Sequence, residues 1–159
     1  MHTMAALKTS RRGEYGQATI ELALTLPLLL LVVLGVFDFG LMFQRFEVVT
    51  NAAREGARLA VLTSQYTTTA ARQRALDYLA SGGIPTPGTC NAGTAGSLCV
   101  TVTPGTTTIA GTTPALVVNE MVVTVQYDHQ HVFVGPIMGL FGSPLTVTPL
   151  KAVSRMRVE

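Results

Sequence analysis

Residues 16–38 read GQATIELALTLPLLLLVVLGVFD, and this stretch decides how the rest of the chain is organised. The 16 residues from 22 to 37 carry no charge, with Glu21 before them and Asp38 after. Extending back to Ala18 gives 20 residues with one charge, the length of helix a bilayer core requires. Helices in the core of a soluble protein are rarely this long and uniformly apolar, so a membrane span is the better reading. Lys8, Arg11 and Arg12 precede it, offset only by Glu14. Basic flanks stay in the cytoplasm, which predicts an inside N-terminus and an outside C-terminal region. An ordinary secretory signal would offer small residues for cleavage after the apolar run. The residues there are GVFDFGLMF, which are bulky, so the span is expected to stay in the mature protein.

The whole-chain composition agrees with this division. Of 159 residues, 48% are hydrophobic and only 13% charged, about half the usual charged share. That composition excludes intrinsic disorder and fits poorly with an ordinary cytosolic domain. Eleven Lys and Arg against nine Asp and Glu give no warrant for nucleic-acid binding, which needs a strongly basic face. Residues 1–16 hold three of the basic residues and one acidic residue, which leaves eight of each sign in the remainder. The sequence shows no second apolar span, so one extracytoplasmic domain is expected beyond the first.

Glu21 is an acidic residue at the head of a membrane helix. A carboxylate costs about 2.5–3.5 kcal/mol at the centre of a span, so it is a functional candidate unless it lies solvated at the interface. Gly16 stands five residues before it. Glycine, four residues, then glutamate at the head of an apolar helix resembles the class III signal of type IV prepilins. That resemblance implies cleavage after Gly16 by a membrane aspartyl peptidase, with Gln17 as the new N-terminus. It implies that Glu21 sets subunit register, pairing with the Gln17 amine of a neighbour and offsetting the cost of burying the carboxylate. Pro27 within the leucine run, Asp38 at its end, and Ala52-Ala53-Arg54-Glu55-Gly56-Ala57-Arg58 narrow the likeness. Together they resemble the TadE-like pseudopilins of the tight-adherence (Flp) pilus system, over roughly residues 13–62. The implied organisation is a basic leader over 1–16, a transmembrane segment over 17–38 and a pilin-like domain over 39–159. The implied partners are the bilayer, the prepilin peptidase, other pilin and pseudopilin subunits and the pilus assembly platform. The implied location is the inner membrane, with passage into a surface pilus.

Beyond the span, small or apolar residues recur every three or four positions: Phe39, Met42, Phe43, Phe46, Val49, Ala53, Gly56, Ala57 and Ala60. This is the period of an amphipathic helix. Joined to the span, residues 17–62 would extend roughly 69 Å as one helix. Pro27, Gly35 and Gly40 are expected points of bending or local melting. Ala52, Gly56 and Ala60 form a strip of small side chains that lets another backbone approach closely. Packing against the chain's own sheet is the commoner use of such a strip. Arg54, Glu55 and Arg58 are either a solvated face with a weak Glu–Arg pair, or Arg54 and Arg58 contact a partner or cap strand carbonyls. A second helix is expected over 69–80, with Ala71, Ala75, Leu76 and Leu79 inward and a stop at Ser81-Gly82-Gly83.

The C-terminal half alternates with period two. Residues 97–103, 115–127 and 146–159 predict three antiparallel strands with one buried face. The expected inward residues are Leu98, Val100 and Val102; Val117, Met121, Val123, Val125 and Tyr127; and Leu150, Ala152, Met156 and Val158. Residues 104–114, PGTTTIAGTTP, read as a flexible hairpin connection. Residues 131–144, HVFVGPIMGLFGSP, read as an apolar loop broken by glycine and proline, either an exposed interaction site or, the preferred reading, one with Phe133, Ile137, Leu140 and Phe141 folding back over the core. The fold class is therefore α+β: a long N-terminal helix, a short second helix and a small sheet, as in pilins.

Chemistry is sparse in this sequence. Cys90 and Cys99 are placed to form a disulfide outside the membrane, stabilising the domain by about 2–3 kcal/mol for so short a loop. His129 and His131 share a strand face with Asp128 on the other, and the local sequence supplies no third metal ligand. Ser143 lacks an evident base or oxyanion-hole sequence, and no P-loop, HExxH, GxSxG or dinucleotide motif occurs. No catalytic residue, metal or cofactor is expected. Three readings follow: a minor pilin-like subunit, a permanently anchored extracytoplasmic binding domain, and a catalytic domain on an anchor.

Overall fold

The computed structural model describes residues 12–62, 68–86, 90, 93–111, 114–140, 142 and 147–158, with side chains described from Gly16 onward. Phe141 and Ser143 lie outside the described residues, as do the basic residues Lys8 and Arg11. The elements run α1 (Arg12–Leu62), α2 (Thr68–Ser81), β1 (Leu98–Ile109), β2 (Leu116–Gln130), α3 (Val134–Leu140) and β3 (Val147–Arg157). The chain divides into two compact units after Phe37, and α1 contributes to both.

The first unit is helical. Pro27, Gly35 and Gly40 all lie within α1, and helix runs through each position, so the local melting expected there does not occur. Residues 16–32 are exposed without exception, including Leu24, Leu28 and Leu29. Among the described residues this is the one helix long and apolar enough to cross a membrane. A leucine face with no protein against it is favourable only where the surroundings are themselves apolar.

The second unit, Asp38–Glu159, carries the hydrophobic core. Its sheet has the order β1-β2-β3, antiparallel throughout, with Leu98 opposite Tyr127 and Val125 opposite both Val100 and Ala152. Val49, Ala52, Ala53 and Ala57 of α1 meet Ala75 and Leu79 of α2 and Val100, Val123, Val125 and Leu150 of the sheet. The α1 residues are nearly all alanine because helix, helix and sheet converge on that line. A Cβ added at Gly56 would lie 3.1 Å from Ala75 Cβ, 3.2 Å from the Ala71 carbonyl oxygen and 3.4 Å from Val123 Cγ1. Ala52 and Ala60 are buried beside it, so the small strip packs inside its own unit. Helix α2 ends as expected: Gly83 takes φ +76°, and the Ile84 N–H donates to the Leu79 carbonyl, closing a Schellman turn.

Several elements differ from their expected form. Strand β1 continues through Pro104 to Ile109, pairing Ile109 with Leu116, so most of the stretch read as a flexible connection is strand. Strand β1 is at the sheet edge, where proline's missing N–H is tolerated. Val117 is 58% exposed and the adjacent Val118 is buried instead, on the part of β2 that pairs with β1 alone and has no β3 partner. Val158 is also exposed, just beyond the end of β3. Residues 134–140 form a helix rather than a loop. Pro136 falls in its first turn, where a backbone N–H has no intrahelical acceptor to lose. Phe133 and Ile137 are half-buried, whereas Leu140 is exposed instead of folded back. Finally, Phe39, Phe43 and Phe46 are exposed, so the buried face of α1 begins in earnest only at Val49.

Candidate functional site

In the first unit, Gly16 and Gln17 are adjacent on α1 with Glu21 about one turn further on, and all three are exposed. An extra Cβ at Gly16 would meet nothing within 4 Å. Thr25 donates its hydroxyl to the Glu21 carbonyl oxygen at 3.0 Å, which leaves the acidic side chain itself uninvolved in that bond. The arrangement can present a carboxylate and an adjacent backbone to another protein at the head of an apolar helix.

In the second unit a polar cluster is built where α1 meets the end of β2 and the start of α3. Asp38 is fully buried, and its carboxylate accepts the Val132 N–H on Oδ1 and the Val134 N–H on Oδ2, both at 3.0 Å. These donors are at and just before the first turn of α3, so the aspartate caps a helix that its own sequence would barely nucleate. His131 Nδ1 stands 3.3 Å from Asp38 Oδ2, and its Nε2 is 2.8 Å from Thr148 Oγ1 on β3. His129 packs edge-on to His131, with ring centroids 5.2 Å apart. Among the described residues neither nitrogen of His129 has a hydrogen-bond partner, although the residue is only 3% exposed. Burial pushes the His129 imidazole below its ordinary pKa, with help from His131 and Arg45 and against the pull of Asp38. Arg45 is held nearby, donating to the Tyr127 hydroxyl at 2.9 Å.

The third acidic or imidazole group that the neighbourhood of His129 lacks in sequence is therefore Asp38, 91 residues before it. Asp128 is absent from the cluster, as its place on the other strand face requires. It is buried and accepts the Gly93 N–H. What the sequence did offer was a pair of histidines two apart, on the face of a strand that had to meet a helix.

Glu55 is the centre of a second polar group. It accepts two hydrogen bonds from Arg58, at 3.0 and 3.1 Å, and two more from Arg74 of α2. Those bonds, Arg58 first and Arg74 second, hold its carboxyl down at about 2. Arg54 is exposed on the same turn. Cys90 and Cys99 are joined as a disulfide with Cα atoms 4.7 Å apart, tying the loop before β1 to the strand.

Residues 16–58 match the family model described as TadE-like protein, so that segment is similar to the TadE-like family. The match takes in the exposed apolar half of α1, Asp38, and the small strip as far as Arg58. No curated protein and no solved structure matches the chain.

Proposed function

We propose that this TadE-like protein is a minor pilin-like subunit of a Tad pilus system, cut after Gly16 by a prepilin peptidase and assembled through α1. The observation that carries the reading is the family match over residues 16–58, on a helix whose apolar residues from 16 to 32 have no protein against them. Such a surface suits a bilayer first and the helices of neighbouring subunits afterwards. In this reading Lys8, Arg11 and Arg12 keep the leader in the cytoplasm, and the second unit lies outside. Gln17 supplies a free amine once the leader is removed. Glu21 then accepts that amine from a neighbouring subunit, because an unpaired carboxylate is costly among apolar helices. The work of the protein is assembly rather than catalysis, with the inner-membrane platform and other pilin subunits as its partners.

Replacing Glu21 by alanine tests the assembly role. The expected result is loss of piliation and surface adherence with normal amounts of membrane-inserted subunit. Normal pili on that variant would contradict the role given to Glu21. They would favour a permanently anchored domain instead.

A further inference from the structure

We infer that Asp38, His129 and His131 form a binding site for one divalent transition metal ion of zinc's ligand preference. One ligand atom from each residue lies within 4.8 Å of the others, and all three residues are buried. Zinc bonds of about 2.0–2.2 Å need donors some 3.4 Å apart, a contraction within reach of small side-chain rotations. Two imidazoles and one carboxylate suit a borderline metal, and suit calcium or magnesium poorly because those prefer oxygen throughout.

The 3.3 Å approach of His131 Nδ1 to Asp38 Oδ2 makes no hydrogen bond, and an ion pair between those two residues leaves His129 without a role. His129 is 3% exposed, and among the described residues neither of its ring nitrogens has a hydrogen-bond partner. A buried polar group in that state is costly, and a metal bond removes the cost. The supporting contacts also have the form that metal ligands need. Thr148 Oγ1 lies 2.8 Å from His131 Nε2, so an Nε2–H donated there leaves Nδ1 as the lone-pair donor, facing Asp38. The Val132 and Val134 N–H groups fix both oxygens of Asp38 while leaving each a lone pair. Three protein ligands leave one tetrahedral position for a water molecule. The ion would fasten α1 to the junction of β2 and α3, and its role is structural. The inference rests on these contacts and is independent of the pilus reading.

The test uses the full chain in detergent, stripped with a chelator and titrated with Co²⁺, then with Zn²⁺. We expect one cobalt per chain, a visible d–d band of a tetrahedral nitrogen and oxygen site, no thiolate charge-transfer band, and displacement by zinc. Zinc at 100 times its Kd should shift the unfolding equilibrium about 100-fold. His129→Ala should abolish binding, and Thr148→Val should weaken it about 10–100-fold, as lost supporting contacts do. His2→Ala, which removes the remaining histidine, should change nothing. The site would be overturned by substoichiometric cobalt on the wild-type chain, a thiolate band pointing to Cys90 and Cys99, or undiminished binding by His129→Ala. The wild-type stoichiometry decides the matter even if a variant fails to fold.

Discussion

The two halves of α1 solve opposite problems with one backbone. From Gly16 to Phe37 the helix carries large side chains, and almost all of them are exposed; Leu29 is 63% accessible. From Val49 to Ala60 the inward residues are small, and they are buried. Side-chain size reports the neighbour. Leucine-rich surface suits a fluid apolar solvent, which imposes no shape, whereas alanine and glycine mark the line where α2 and the sheet press against α1. Asp38 stands at the border between them, with its charge turned into the second unit.

Leucine-to-alanine substitutions in the two units should differ most in their cost. Leu79→Ala empties a fully buried position facing α1, so the unfolding free energy of the second unit should fall by about 2–5 kcal/mol. Leu29→Ala should leave the same unfolding transition within about 0.5 kcal/mol, because no protein packs there. Thermal unfolding followed by near-ultraviolet circular dichroism separates the two, and equal losses would erase the distinction. Gly56→Leu should cost about 1–3 kcal/mol or more, since the Ala71 carbonyl is backbone and gives way poorly. Limited proteolysis of α2 should accelerate in that variant, and unchanged protection would mean that the small strip is not an inward seam.

Asp38→Ala sharpens the border. It strands the Val132 and Val134 N–H groups, and in metal-free protein should cost about 1–3 kcal/mol, with hydrogen exchange fastest at the start of α3. Exchange that stays slow there would remove Asp38 from the role of cap. The smallest effect belongs to Glu55. Its carboxyl is held at about 2 when folded against an ordinary 4.5, mainly by Arg58 and then Arg74. A lowered folded value means that the contribution is present above about pH 4.5 and disappears as pH falls towards 2. The arginines are more than half exposed, so the contribution should stay below about 1 kcal/mol. Glu55→Gln should therefore be slightly less stable than wild type at pH 7 and equal to it near pH 2. A gap that persists at low pH would assign the effect to packing.

The parts of the molecule with a strong period were legible from residues alone. The apolar run, the helical recurrence through Ala60 and the alternation around Val123 and Val125 each repeat a local rule. The stop at Gly83 and the placement of Gly56 were legible too, because glycine answers local geometry. What failed depended on distant neighbours. Pro104 and Gly105 read as a turn because nothing local says that they occupy an edge strand. Residues 134–140 read as a loop because their helix needs a cap from Asp38, nearly a hundred residues earlier. The same separation hid the polar cluster: His129 and His131 were visible as a pair, and their third member was visible only as the end of an apolar run.

Cleavage between Gly16 and Gln17 is read from the intact mass of the membrane-extracted protein. In cells with an active prepilin peptidase, the protein should begin at Gln17, with or without a methyl group on its amine. Without the peptidase it should retain the leader. An N-terminus that lies upstream of Gln17 in both strains would contradict the claim and leave the helix as a permanent anchor.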